Sequence, residues 1–395
     1  MKEKQNNQSI GVRTDFESGG GKVEIVQRDP LSIEIIPHNE GQASWSQVWW
    51  YFKLEGIDPG TNVILRLVIG NPKIDGISPQ AFFSYDQQTW ALTDIGREIS
   101  IDGAEYFEYS HKIWNSEVYF AYDLPYTPDH AMELMNLCSR ASGVEEFELC
   151  RTKKNRKVGA MKYHALQQPR FGIWLQARAH AFESGSSWVL HELAIWLVSN
   201  DPRANALRQL ADIYIVPIID VDAVVEGRTG KYQKPYDHWM NWHNEPHLWE
   251  EIRAIKAHLK QLAEDNLMDL FIGFHGPGSK SNPFFLTPFE RYLPYEKQKK
   301  NRQMFFESLN SELMTTETKK TESMIQILYS EREWDKKNSS SSHEWVWLNT
   351  NDHCIAFTLE VNMNTPFSTH MGYRSEAISL GKAMSNYFIN SKPLK

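Results

Sequence analysis

The sequence predicts an α/β domain built on a mixed sheet with helices on both faces, preceded by a small antiparallel β-sandwich. Three observations carry that expectation. From about residue 20 to 125, apolar residues alternate with a period near two between short turn signals. Beyond that stretch, helical runs of a dozen or more residues alternate with short apolar strands. The 395 residues, 41% hydrophobic and 12% aromatic, exceed one average domain and suffice for a large core.

The elements come in chain order. KVEIVQ, LSIEII, WSQVWWYFKLEG, NVILRLVIG and EYFEYSHKIW are rich in Val, Ile, Tyr, Phe and Trp, which fit a pleated, half-buried surface. GIDPGT, GNPKIDGISP and SIDGA between them hold the turn residues, as in a sandwich of short strands. FAYDLPYTPDH (120–130), with two prolines, serves as a connector. The expected division is a flexible N-terminus over 1–20, the β-sandwich over 21–128 and the α/β domain over 129–395. In the latter, SSWVLHELAIWLVSN (186–200) and LWEEIRAIKAHLKQLAED (248–265) are helices, the first expected to be amphipathic. They alternate with the strands FGIWLQARA, IYIVPII, LFIGF and CIAFTLEV. Ligands of such sheets collect beyond the strand ends. KKNSSSSHEW (336–345) has the composition of a mobile surface loop, and no internal repeat is visible.

Composition narrows the function. A formal charge of -8 and a pI near 6.0 create no global basic field for nucleic acid. Cys138, Cys150 and Cys354 are odd in number and scattered, without Cys-x-x-Cys, which suits a reducing compartment. The first residues lack an apolar signal-peptide core, and no stretch approaches the roughly 18 apolar residues of a membrane span. The expectation is a cytoplasmic protein with neither nucleic acid nor membrane as partner.

Three ionisable side chains share one kind of place. His180 follows FGIWLQARA, His275 follows LFIGF, and Glu360 ends CIAFTLE, so all three fall at the carboxyl ends of expected strands of one sheet. Glu183, three residues after His180, can turn toward the same point. Two histidines and a carboxylate supply three of the four ligands of a zinc ion and leave one position for water. The alternative makes His180 a hydrogen-bonded, half-buried residue and Glu183 a helix N-terminal charge favoured by the dipole. Other signatures are missing. His191-Glu192 and His343-Glu344 lack the second histidine of His-Glu-x-x-His, and neither a Gly-x-Ser-x-Gly elbow nor a phosphate-binding loop is present. GPGSKS, after His275, suits a turn.

The stretch ARAHAFESGSSW resembles the first ligand pair of the M14 family of zinc carboxypeptidases, especially the cytosolic carboxypeptidase branch. IVPIIDVDAVVEG (215–227), LFIGFHG (270–276) and FTLEV (357–361) resemble further family segments in the same order. WSQVWWYFKL, FFSYDQQTW and YFAYDLPYT resemble the β-domain that precedes the peptidase domain in this branch. The resemblance implies that His180, Glu183 and His275 hold one zinc ion per chain and that Glu360 is the general base. It implies an arginine beside the oxyanion, for which Arg228 in EGRTGK is the candidate; the alternative is an exposed turn arginine. It also implies that Asp237, in YDHWMNWH, orients a zinc-bound histidine through the other ring N–H.

One part of the family pattern is broken. Where an Asn-Arg pair would grip the substrate's terminal carboxylate stand Trp239 and Met240. Three explanations compete. Another cation, such as Lys231, Arg291 or Arg374, reaches the pocket; or the substrate lacks that carboxylate, as for an amidase or deacylase; or zinc is retained and turnover lost. Trp239, Trp242 and Trp249 suit either a pocket wall or packing under a helix, and the spacing of His238, His243 and His247 gives no clear ligand geometry. A phenol near the leaving group has Tyr329 as a candidate by position alone. The expected partner is a peptide or amide substrate.

Overall fold

The computed structural model describes residues 10–38, 40, 48–69, 77–278, 280–315, 326–330, 341–391 and 393–395. It divides into two compact units, Met1–Pro125 with Ala223–Lys231, and Tyr126–Asp222 with Tyr232–Lys395.

The first unit is a β-sandwich. Its strands are β1 (Gly11–Arg13), β2 (Lys22–Arg28), β3 (Leu31–Ile36), β4 (Tyr51–Glu55), β5 (Asn62–Val68), β6 (Phe82–Ser84), β7 (Trp90–Leu92), β8 (Arg97–Ile101), β9 (Ala104–Lys112) and β10 (Glu117–Ala121). They form two five-stranded sheets, in the orders β1-β4-β10-β6-β7 and β2-β3-β5-β9-β8. The pairs are antiparallel except β3–β5, which run parallel from Leu31 beside Val63 to Ile35 beside Leu67. The period of two is plain in β5, where Val63, Leu65 and Leu67 are buried and Ile64 and Arg66 are not fully so. Ile33, Ile35, Trp50, Phe52, Tyr109 and Phe120 fill the core. Burying each large aliphatic or phenyl side chain is worth about 1.5–3 kcal/mol. The 223–231 stretch is stitched to this unit where Ser18 N–H donates to the Val225 carbonyl at 3.0 Å. A Cβ on Gly20 would lie 2.2 Å from the Gly227 carbonyl oxygen, so the two backbones can meet only at glycine.

The rest of the chain carries α1 (Pro128–Cys138), β11 (Val144–Arg151), β12 (Lys157–Tyr163), β13 (Phe171–Ala177), α2 (Ser184–Leu197), α3 (Pro202–Leu210), β14 (Ala211–Val216) and α4 (Val221–Val225). It continues with α5 (Glu250–Glu264), β15 (Leu270–His275), β16 (Phe284–Pro288), α6 (Glu296–Thr315), β17 (Gln326–Ser330), α7 (Ser342–Asn349), β18 (Ile355–Glu360) and α8 (His370–Asn386). The eight-stranded sheet has the order β11-β12-β14-β13-β15-β18-β16-β17. Its centre, β14-β13-β15-β18, is parallel, while β11-β12, β12-β14 and β16-β18 are antiparallel. Every residue of β13 and β15 is buried. Strands buried on both faces need helices on both faces, which explains their continuous apolar reading in sequence. Three consecutive strands, β13, β15 and β18, therefore open their carboxyl ends side by side.

Two helices differ from their sequence reading. The first expected helix is not half exposed: in α2 only His191 and Ile195 are other than buried. Its outer side is covered by α8, where a Cβ at Gly381 would lie 2.5 Å from the Trp196 ring, so glycine sets the approach. The serine-rich stretch also ends differently. Ser341 caps α7 in a reciprocal capping box with Glu344, and residues 341–345 are buried rather than a surface loop. Residues 336–340 lie outside the described residues, as does the side chain of Tyr329.

Packing generates two predictions. A Cβ on Gly172 of β13 would lie 1.6 Å from the Leu267 carbonyl oxygen, against backbone that cannot step aside. Gly172→Ala should therefore destabilise by about 1–3 kcal/mol or more, read as a lowered denaturation midpoint; an unchanged midpoint would refute this packing. On α8, Glu376 Oε2 accepts the Asn362 N–H at 3.3 Å, while its Oε1 is buried without a hydrogen bond. Burial pushes this carboxyl up to about 8 from an ordinary 4.5, against the opposing pull of the Asn362 N–H. The folded state then binds a proton that the unfolded state releases. Stability at this group should be fullest below about pH 4.5 and fall as pH rises to about 8. Denaturation curves of Glu376→Gln across that range should fall less steeply than those of the wild type.

Candidate metal centre

The centre is built where β13 and β15 end. β13 stops at Ala177, and the chain turns through Arg178, whose φ of 63° is a left-handed conformation unusual outside glycine. Its guanidinium is 1% exposed and donates to the Tyr126 and Ala181 carbonyls, which holds the turn in that shape. The turn delivers His180 and places Glu183 as the residue that caps α2. Glu183 does not spend its side chain on the cap. Its Oε1 lies 2.8 Å from His180 Nδ1, and its Oε2 lies 3.0 Å from His275 Nδ1.

All three groups are buried, His180 and His275 at 3% exposure and Glu183 at 1%. One donor atom from each can be chosen so that all lie within 4.8 Å of one another; among the described residues this His-Glu-His group alone has such geometry. Gly276 keeps the space beside Glu183 narrow, since a Cβ there would sit 3.4 Å from Glu183 Cγ. Burial disfavours charge on His180, yet the Glu183 and Asp237 carboxylates outweigh it and push the imidazole up to about 9. Burial likewise opposes the Glu183 charge, and the two imidazoles overcome it, holding that carboxyl well below its usual range. The arrangement attracts positive charge into a dry place. Two imidazole nitrogens and a carboxylate oxygen are donors that zinc accepts, with a fourth position left for water, so the residues fit that ion.

Asp237 lies beside the triad. Its Oδ2 is 3.6 Å from His180 Nε2 and accepts the Tyr232 N–H at 3.3 Å; Oδ1 accepts the Trp239 and Met240 N–H groups at 3.1 and 3.2 Å. Burial works against its charge, but His180 and these N–H groups keep the carboxyl below its ordinary range. Glu360, the last residue of β18, stands directly across the parallel ladder from His275. The same register brings a metal-type ligand and a carboxylate to one edge of the sheet.

The indole of Trp239 packs edge-on against both imidazoles, with ring centroids 6.0 Å from His180 and 6.1 Å from His275. Its Nε1–H is buried without a hydrogen-bond partner. Met240 is next in the chain, and its carbonyl oxygen lies 3.1 Å from His247 Nε2. Trp242 is a packing residue, fully buried against Phe271 and Trp345. His247 is occupied by Met240 and by the Trp249 N–H. Of the alternative cations, Arg374 leans toward Glu192 at 3.9 Å, and Arg291 lies over the rings of Phe289 and Tyr292. Arg228 belongs to the first unit, where Nε meets Glu226 at 3.0 Å and Nη1 meets Glu40 at 3.4 Å. The residue that sequence reading passes over is Arg178. Its one signal is a charge inside an otherwise apolar strand end.

Comparison with known proteins agrees with this architecture. Residues 12–122 match the domain described as "Cytosolic carboxypeptidase N-terminal domain". Cytosolic carboxypeptidase 1 of Danio rerio is 24% identical over 325 residues, covering 71% of this chain and 28% of that protein. Cytosolic carboxypeptidase 4 of Homo sapiens is 23% identical over 336 residues, covering 71% and 29%. The chain thus spans less than a third of the length of these curated relatives. The fold is shared with a metallo-carboxypeptidase from Burkholderia cenocepacia, at a TM-score of 0.76 and 18% identity over 96% of this chain and 99% of the other. It is shared also with a metallo-carboxypeptidase from Pseudomonas aeruginosa, solved in complex with (2-guanidinoethylmercapto)succinic acid, at 0.73 and 20% over 97% and 100%. With sandwich, mixed sheet and His-Glu-His triad together in one chain, the protein resembles the cytosolic carboxypeptidases and shares the fold of the metallo-carboxypeptidases.

Proposed function

We propose that the chain is a zinc-dependent hydrolase of peptide or amide bonds, holding one zinc ion through His180, Glu183 and His275. The observation that carries this reading is the convergence of three buried donor groups, with Glu360 paired across the ladder from His275. When bound, zinc supplies Lewis acidity, lowering the pKa of water and polarising a carbonyl. The rest is the work of the chain. Asp237, its Oδ2 3.6 Å from His180 Nε2, would favour the ring proton on that nitrogen and so leave Nδ1 free to hold the ion. Glu360 takes a proton from the attacking water and returns it to the leaving nitrogen. Arg228 is the proposed cation for the oxyanion, a role for which it must share its guanidinium with Glu226 and Glu40. The same reading keeps the division into 21–128 and 129–395 and a cytoplasmic location.

Trp239 and Met240 favour a second version of this function. Neither side chain carries positive charge, so they do not repeat a carboxylate clamp. The buried Nε1–H of Trp239 can donate once to a neutral carbonyl, and the indole and thioether offer apolar walls. An amidase or deacylase substrate suits that pocket better than a free C-terminus.

Three measurements check these readings. Metal analysis of the purified chain should find near one zinc, and His275→Ala should lose it; a metal-free wild type would sink the proposal. Glu360→Gln should keep zinc and lower kcat by roughly 100- to 10,000-fold, and undiminished turnover would remove Glu360 from the mechanism. A charge-assisted clamp is worth about 1.5–3 kcal/mol, so a working one would favour a free C-terminal acid over its amide by roughly ten- to a hundred-fold. For this pocket the amide should be cleaved at least as well as the acid.

A further inference from the structure

Immediately after Asp237 comes a second buried ionisable group, unused by the chemistry above. His238 is 1% exposed and stacks on Trp249, with centroids 4.3 Å apart and planes 18° apart. Its Nδ1 faces Asp220 Oδ2 at 3.5 Å and its Nε2 faces Glu251 Oε2 at 3.6 Å. Both carboxylates are buried, at 1% and 2% exposure. Neither ring nitrogen makes a hydrogen bond, and neither does Glu251 Oε2, so the attraction is that of an ion pair on each edge of the ring.

A neutral ring would face two buried carboxylates with no charge of its own to offset theirs. Burial opposes a positive ring, but Asp220 and Glu251 outweigh it, with Asp237 adding to them, and the imidazole is shifted upward. Other charges in this region include Lys153, whose ammonium lies 4.2 Å over the Trp249 ring, Lys256, which is bound to the Trp242 and Asn244 carbonyls and paired with Glu245 at 2.7 Å, and Arg253, bound to the His247 carbonyl. Gln233 donates its amide to Asp220.

The clamp joins parts of the chain that build the metal centre. Asp220 N–H donates to the Arg178 carbonyl and Ile219 N–H to the Ala177 carbonyl, both at 3.0 Å, so Asp220 is stitched to the turn that delivers His180. Glu251 opens α5. Asp237 reaches His180 from the residue just before the clamped ring. Two successive side chains thus reach the same turn, Asp237 at His180 and His238 by way of Asp220.

We propose that His238 is a positioning residue of the metal centre: its ring, clamped between Asp220 and Glu251, fixes the turn from which Asp237 orients His180. This rests on the reading that His180, Glu183 and His275 bind zinc. The test measures zinc affinity by chelator competition on the full chain for wild type, Asp237→Ala, His238→Gln and the double variant. Alongside it runs the visible spectrum of the cobalt-loaded forms. His238→Gln should weaken zinc binding about ten-fold. It should also alter the cobalt spectrum, which a merely structural loss elsewhere would leave unchanged. In the Asp237→Ala background it should weaken binding no further, because the two act through one contact. Additive losses, or a His238→Gln chain with wild-type affinity and spectrum, would overturn the proposal while leaving the metal centre intact. A wild type that takes no zinc would overturn both. Should His238→Gln fail to fold, Glu251→Gln, which keeps the ring, is read by the same cycle, with a smaller loss and the same lack of additivity expected.

Discussion

A single carboxylate, that of Glu183, lies between two imidazoles that arrive from separate strands. Holding three such groups together out of water is costly unless each is compensated. The surrounding architecture answers that demand. β13 and β15 are neighbours and parallel, so their ends emerge at one edge, and α2 begins at the residue that must sit between them. Arg178 braces the intervening turn and Asp237 closes the far side of His180. The eight-stranded sheet is thus a frame whose centre fixes the separation of three donor atoms.

Much of this is legible in the sequence because the signals are local. Strands such as FGIWLQA and LFIGFH announce themselves by nearly continuous apolar runs, and the histidine that follows or ends each run marks the sheet edge. Glu360 is legible for the same reason. The burial of α2 is not, because its cover comes from α8, far along the chain, through a glycine whose role is only to be small. Nor is the fate of residues 341–345, where a serine run that looks like loop composition supplies a helix cap. The parallel β3–β5 pair inside the sandwich has no local mark either, since parallel and antiparallel strands alternate alike. Arg178 and the His238 clamp depend on partners distant in sequence, which composition cannot reveal.

The departure at Trp239 and Met240 gains meaning from its surroundings. The turn that carries them is fully engaged: Asp237 accepts both of their N–H groups, and Trp242, His247 and Lys256 tie down the next stretch of chain. These bonds hold the backbone of the turn in one shape. The difference lies in the chemistry displayed, an indole and a thioether in place of a cation. That pattern is the basis of the proposed change in selectivity, and it keeps the fold separate from the question of substrate.

The ladder between β15 and β18 sets His275 and Glu360 on the same rung. Side chains in a strand alternate between faces, so a slip of one residue would send the glutamate to the opposite face. Spacing between the Glu360 carboxylate and the His275 imidazole is therefore written into backbone hydrogen bonds rather than into any loop. Loops outside the two strands can change in length without disturbing that interval, whereas one inserted residue inside either strand would part the two side chains at a stroke.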